Sequence, residues 1–500
     1  MSKTVDADFL ALPLSALSDA AISTGKSLGA SHVDVRIERT RTGLLSLRDA
    51  KPETQSDETI IGIGVRVIVN GAWGFASSPD LSADTAKRLA NTAVAMAKTS
   101  KPLSTEEVSL APEPSYPNKT WVSSYEIDPF SVSDSERKDR LASLSSKLLA
   151  TSAVNHTSAM TMYVKEQKHY ADSNGTCTTQ QRVRIQTQIE AISIGEHGFE
   201  SMRTLAQPAG YGWEWMGNSI WNWDKEIDEL PALLAEKVKA PSVEPGRYDL
   251  LIHPSNLWLT IHESIGHATE LDRAIGYEAN YAGTSFATPD KLGNLKYGSK
   301  LMNVTGDRIT EHGLSTVGWD DEGVAAQRWD IVKDGVLVGY QLDRRIAARV
   351  NQERSNGCAF ADSPAHVPIQ RMPNVSLQPN PTGPSLDELI SSVEDGIYIL
   401  GDKSWSIDMQ RYNFQFTGQQ FHRIKNGKLA GQLKDVAYQA TTTDFWGSMK
   451  AVGGPSTYVL GGAFNCGKAQ PGQVAAVSHG CPAAVFDKIN ILNTVAEAGK

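Results

Sequence analysis

Cysteine is scarce in this chain: four residues in 500, Cys177, Cys358, Cys466 and Cys481. Four thiols make no disulfide framework at this length, so the expectation is free thiols in a reducing compartment, any one of them available for chemistry. No run approaches 18 apolar residues, and no transmembrane helix is expected. The opening Met1-Ser2-Lys3-Thr4-Val5-Asp6-Ala7-Asp8 lacks the basic start and unbroken apolar stretch of a secretory signal. These absences point to a cytoplasmic location without membrane association. Positive charge is not in excess either: 48 Lys plus Arg stand against 57 Asp plus Glu, a formal charge of −9. With no basic stripe, a nucleic-acid partner is not expected. Internal repeats and low-complexity segments are lacking too.

What remains is ordinary globular material, 40% hydrophobic and 21% charged, with ample apolar surface for a core. The length suggests at least two domains. The first half alternates helix and strand signals. Helical spacing runs over 9–29; Val33, Val35 and Ile37 alternate as a strand running to Arg48; Ile61, Ile63, Val65 and Val67 alternate as a second, followed by the hairpin signal Asn70-Gly71. Helices are predicted over Ser82–Lys98, with Ser82 as N-cap, and Ser133–Thr151. Strands follow at Met160–Val164 and Val183–Ile194. The Trp-rich stretch Trp213–Trp223 reads as packing rather than a ligand cage. A helix over Leu230–Ala240 ends at Pro241, and Pro241–Gly246 reads as a linker. The expected architecture is α+β. Residues 1–240 form an α/β domain with an antiparallel sheet and packed helices. Residues 241–500 form a mostly β domain, barrel or sandwich, interrupted by helices at Tyr340–Val350 and Ser385–Val393.

The chemistry-bearing pattern is His262-Glu263-Ser264-Ile265-Gly266-His267, on a predicted helix continuing from Leu257-Trp258-Leu259-Thr260-Ile261. Two histidines on one helix face hold zinc, with the adjacent glutamate as general base. The usual spacing is i, i+4. Here it is i, i+5, which at roughly 100° per residue sets the two side chains about 140° apart on a straight helix. A wider π turn brings i and i+5 together, so the spacing predicts an irregular helix between Glu263 and His267, eased by Gly266. A metal site needs a third ligand from elsewhere. Cys466, between glycines in Gly461-Gly462-Ala463-Phe464-Asn465-Cys466-Gly467-Lys468, and Cys481, in His479-Gly480-Cys481-Pro482, are the candidates.

Several stretches resemble the TldD/PmbA family of zinc metallopeptidases, over nearly the whole chain. They are Ser46-Leu47-Arg48-Asp49; Gly62-Ile63-Gly64-Val65-Arg66 with Gly74-Phe75-Ala76; His262 to Asp272; Asp320-Asp321-Glu322-Gly323; Asn356-Gly357; Arg371-Met372-Pro373-Asn374; and Cys466-Gly467-Lys468 with Gly472-Gln473. The intact His-Glu-x-x-x-His resembles the TldD-type, catalytic subunit. The resemblance implies His262, His267 and Cys466 as ligands to one zinc per chain, Glu263 as catalytic base, and a barrel-like C-terminal domain holding the metal. It also implies cleavage of unfolded or extended peptides, as in leader-peptide removal or peptide maturation, by a homodimer or a heterodimer with a PmbA-type subunit.

Three residues are candidates for the oxyanion donor: His479, His366 and Arg371. Asp320-Asp321-Glu322 reads as a strand-end turn closed by Gly323, with a supporting role toward a zinc histidine as the other reading. Strand addition at an open β edge would suit an extended substrate. Two other function classes are kept open: a non-catalytic peptide-binding subunit with a structural zinc, which has no need of Glu263, and a zinc hydrolase acting on a non-peptide amide.

Overall fold

The computed structural model describes residues 4–195 and 198–496. The first half is organised by one seven-stranded sheet. Its order is Ala72–Ser78, Lys51–Val69, His32–Arg48, His156–Asp172, Cys177–Gly195 and Lys119–Val122, with Gly198–Arg203 also paired to Cys177–Gly195. Long antiparallel hairpins dominate, and Val33, Val35 and Ile37 sit opposite Val67, Val65 and Ile63. That apolar face packs on the helices Leu14–Ser27 and Ala83–Ser100.

The other face of the same strands is charged, which alternation would ordinarily assign to water. Here Arg36, Glu38, Arg66, Lys168 and Arg182 are buried beneath the second half of the chain. Arg66 bridges Asp34 and Glu322, each at 2.9 Å. Lys168 meets Asp321 at 2.8 Å. Asp320 accepts the amides of Glu322 and Val324, both at 2.9 Å. The acidic triplet is thus a turn that seats one half of the chain on the other.

Ser82 and Ser133 cap their helices through the amides of Thr85 and Glu136. Three expected helices differ. The 9–29 helix is two, Ala7–Leu10 and Leu14–Ser27, because Pro13 offers no amide to continue the first. The helix expected from Leu230 starts at Trp223, capped by Asn222, and carries Pro231 inside it. The helix expected over Tyr340–Val350 is confined to Arg344–Arg349, since Asp343 caps it and Gln341 pairs in extended form with Glu270.

The Trp-rich segment is packing, as its composition suggested. Trp213, Trp215 and Trp223 are buried beside Leu141, Leu144, Leu230 and Leu234. Trp223 Nε1 donates to Trp215 O at 2.7 Å, and the two rings meet edge to face at 6.3 Å. Trp223 is fully buried, so Trp223→Ala is expected to lower unfolding free energy by about 3–5 kcal/mol, as read from urea denaturation.

The second half closes a five-stranded ring. Asp395–Ile407 pairs with Gly246–Ile252, then follow Ala484–Asn493, Val436–Thr441 and Asn413–Lys425, which pairs back with Asp395–Ile407. The Gly246–Ile252 and Asp395–Ile407 pairing is parallel; the others are antiparallel. Closure removes free edges from these strands. Leu250, Ile252, Ile397, Phe416, Tyr438 and Phe486 belong to the core they enclose. The chain leaves strand Gly246–Ile252 directly into helix Pro254–Ile261, every residue of which is buried. Asn256 fastens that helix to the barrel, donating to Gly401 O (2.9 Å) and Thr417 O (3.0 Å) and accepting from Tyr438 Oη (2.8 Å). No helix among the described residues is long and apolar enough to cross a membrane.

Candidate metal centre

The helix widens where the histidine spacing demanded it. Residues His262–Gly266 form one π turn, and the His267 amide donates to His262 O, five residues back. The two histidines are therefore the ends of a single i+5 hydrogen bond, and their ring centroids lie 4.7 Å apart. A wide turn disturbs the normal carbonyl ladder, and side chains from other elements take up the slack. Tyr297 Oη donates to Ser264 O (2.5 Å), Thr269 Oγ1 to Ile265 O (2.8 Å) and Gln341 Nε2 to Gly266 O (2.5 Å). Gly266 is right-handed helical here, so its role is space rather than unusual backbone. A Cβ at this position would lie 2.5 Å from Met372 Sδ.

Cys466 arrives on strand Val459–Ala469, paired with Gly472–Cys481. The register shifts between Ala463 and Cys466, where three steps on one strand oppose two on the other. Such a bulge re-aims the side chain that follows it. Ligand atoms of His262, His267 and Cys466 all lie within 4.8 Å of one another, and no other such trio of His, Cys, Asp or Glu occurs among the described residues. Cys466 Sγ is 3.9 Å from His267 Nε2. Cys481 is elsewhere, fully buried with its thiol toward Pro254 O at 3.8 Å.

The surrounding hydrogen bonds determine which nitrogens are free. His479 Nδ1 lies 2.9 Å from Val375 O, which can only accept. Its Nε2 therefore accepts from His262 Nδ1–H, at 2.7 Å, and the His262 Nε2 lone pair is left over. Burial holds His479 well below the ordinary histidine value, and His262 adds to that effect. Burial lowers His262 too. On the other side His267 Nδ1 meets Glu270 Oε2 at 2.9 Å, which frees its Nε2. Burial raises the Glu270 carboxyl, but Lys468, His267 and Arg273 together hold it well below the usual carboxylate range. Arg371 donates to Cys466 O (2.5 Å) and lies 3.4 Å from its sulfur.

Glu263 borders the same space. Burial opposes its charged form, but His267, His262 and Arg411 outweigh that and lower its pKa. The residues face a cleft of about 390 Å³. Gln186, Gln188 and the segment Arg203–Pro208 form one wall, and Asp402, Trp405 and Gln419 another. The walls are joined by the Arg203 guanidinium, which grips the Asp402 carboxylate and its carbonyl.

The oxyanion candidates fall otherwise. His479 braces His262, and Arg371 braces Cys466. His366 is exposed on Asp362 and is not among the cleft residues. Sequence reasoning missed two contacts. Glu270, at i+3 from His267, was open to a helix-face argument. Arg411, 2.6 Å from Glu263, carried no signal at all.

Comparisons with known proteins bear on the family and the fold. The sequence model described as PmbA/TldA metallopeptidase C-terminal domain matches residues 245–493, and that for domain 1 of the same family matches 33–97. A metalloprotease of Methanocaldococcus jannaschii is 26% identical over 428 residues, 84% of this chain and 89% of that one. A zinc metalloprotease TldD homolog of Saccharolobus solfataricus is 22% identical over 481 residues, 94% and 98% of the two chains. Among solved structures, a putative modulator of a DNA gyrase from Thermotoga maritima superposes with a TM-score of 0.75 at 15% identity, covering 95% of this chain and 99% of that one. TldE from Thermococcus kodakarensis gives 0.72 at 16%, covering 95% and 99%. The chain belongs to the PmbA/TldD metallopeptidase family.

Proposed function

We propose that this chain is a TldD-type zinc metallopeptidase that hydrolyses peptide bonds in unfolded or extended peptides. His262, His267 and Cys466 hold one zinc per chain, and Glu263 is the base. The observation that carries the reading is the π turn that joins the two histidines beside a cysteine from a distant strand. The donor set fits the metal. Two imidazole nitrogens at about 2.0–2.1 Å and a thiolate at about 2.3 Å would stand roughly 3.3–3.6 Å apart around a tetrahedral zinc, so ligand atoms within 4.8 Å close on an ion with small side-chain adjustments. Three protein ligands and an adjoining cleft leave the open position of a catalytic site, and a closed structural site has no use for Glu263.

A zinc ion in this position supplies a Lewis acid for the scissile carbonyl and lowers the pKa of water. Glu263, ionised at neutral pH, takes a proton from the attacking water and returns it to the leaving amine. His479 and Glu270 keep both ligand imidazoles in the tautomer whose Nε2 is free. The cleft walls, rich in carboxamides, offer donors and acceptors to a peptide backbone. On this reading residues 1–240 form one domain, contributing one wall, and 241–500 a second that holds the metal. A second copy or a PmbA-type subunit completes the cytoplasmic enzyme, in keeping with the likeness to TldE.

His479→Ala removes the acceptor for His262 Nδ1–H and is expected to weaken zinc binding by about 10–100-fold, read by competition with a chromogenic chelator. Unchanged affinity would separate His479 from the metal. Peptidase activity is tested by incubating the zinc-loaded chain, alone and with co-purifying subunits, with unfolded protein and identifying products by mass spectrometry. Cleavage that stops on chelation and returns with zinc is expected; cleavage indifferent to chelation would defeat the reading.

A further inference from the structure

The base of the proposed reaction is gripped from a stretch of chain that no motif marks. We propose that Arg411 is the positioning residue for Glu263, pinning one carboxylate oxygen so that the other is presented to the cleft. The inference rests on the peptidase reading above. Arg411 Nη1 donates to Glu263 Oε2 at 2.6 Å. Glu263 Oε1 has no hydrogen-bond partner among the described residues, while Glu263 itself lines the cleft. Arg411 is not among the cleft residues; it reaches Glu263 from behind. Glu263 is its sole ion-pair partner among the described residues, and its buried Nε has no acceptor.

The backbone is built to deliver this one contact. Arg411 sits at the turn between barrel strands Asp395–Ile407 and Asn413–Lys425, with φ at +63°. That conformation is costly for a residue with a side chain, and it persists only where the surroundings enforce it. Asp408 supplies the enforcement. Its Oδ1 accepts from the amides of Gln410 (3.1 Å) and Tyr412 (2.8 Å), and its Oδ2 from the amide (3.0 Å) and Nδ2 (2.7 Å) of Asn413. Thr442 Oγ1 donates to Arg411 O at 2.8 Å. The amides of Thr284 and Phe286 hold Met409 O and Gln410 O, both at 2.9 Å. A guanidinium fixed at its root anchors Oε2 at one point, which a flexible ammonium does less well.

A freely rotating carboxylate would share its time between useful and useless orientations. A pinned one offers a single oxygen to water, and that gain appears in turnover rather than in substrate binding. The test uses the full-length zinc-loaded chain with any co-purifying subunit, and reduced, carboxymethylated lactalbumin as the unfolded probe. Arg411→Met is expected to lower kcat by about 10²-fold with KM and zinc content unchanged. Arg411→Lys is expected to recover part of the loss. Guanidinium at sub-denaturing concentration is expected to restore part of the turnover of Arg411→Ala, and none to Glu263→Gln. Wild-type kcat in Arg411→Met, beside an inactive Glu263→Gln, overturns the role of Arg411 alone. A loss in Arg411→Ala that neither guanidinium nor lysine relieves, together with lost zinc, shows a structural ion pair and also overturns it. An active Glu263→Gln overturns the base assignment and this inference with it.

Discussion

Glu263→Gln is expected to keep about one zinc per chain and to lose peptide cleavage, with kcat falling by about 10²–10⁴-fold. The substitution is nearly isosteric. A glutamine oxygen still accepts from Arg411 Nη1, now 2.6 Å from Glu263 Oε2, so the turn and the helix keep their geometry. What disappears is the capacity to take and return a proton. Zinc content measured beside turnover separates this from unfolding. A variant with full metal and wild-type turnover would show that Glu263 is not the base, and the non-catalytic reading would gain directly.

The second large effect is on the metal. Cys466→Ala is expected to cost about 3–5 kcal/mol of zinc binding, roughly 10²–10⁴-fold in affinity, as one ligand's share of the free energy typical of structural zinc. Arg371 still donates to the backbone carbonyl of residue 466 and to Gln473 O (2.8 Å), so the strand has no reason to unfold. Cys481→Ala is the matched control. Its thiol faces Pro254 O, and burial pushes its pKa up, so it holds no thiolate for a metal and its loss should leave zinc binding unchanged. Equal zinc affinity in Cys466→Ala and wild type would contradict the ligand set.

How much of this was legible in the sequence differs from residue to residue. The interval from His262 to His267 was informative because it fails on a straight helix. One i+5 hydrogen bond resolves it, and the structure contains that bond. The interval could not disclose that Gly266 is there to admit Met372, since that contact joins residues a hundred positions apart. Cysteine chemistry alone left Cys466 and Cys481 level. The bulge after Ala463 aims Cys466 at the histidines, and it is a property of strand pairing, invisible in composition. On sequence alone His479 is one of three candidates for the oxyanion donor. Its place behind His262 depends on the Val375 carbonyl, which no side-chain pattern encodes. Arg411 is the extreme case, because a turn between two barrel strands acquires meaning only after the barrel closes. In the first half, alternation located the strands but did not disclose what covers their charged face. Arg66 and Lys168 are buried instead because Asp321 and Glu322 arrive to neutralise them. A sequence window that sees one strand at a time cannot include those partners.

Zinc K-edge absorption spectroscopy of the purified, zinc-loaded chain tests the central claim most directly. The expected spectrum shows one sulfur at about 2.3 Å and nitrogen or oxygen scatterers at about 2.0–2.1 Å, two of them imidazole, with the sulfur absent in Cys466→Ala. A wild-type spectrum with no sulfur, or a chain that retains no zinc, would contradict it.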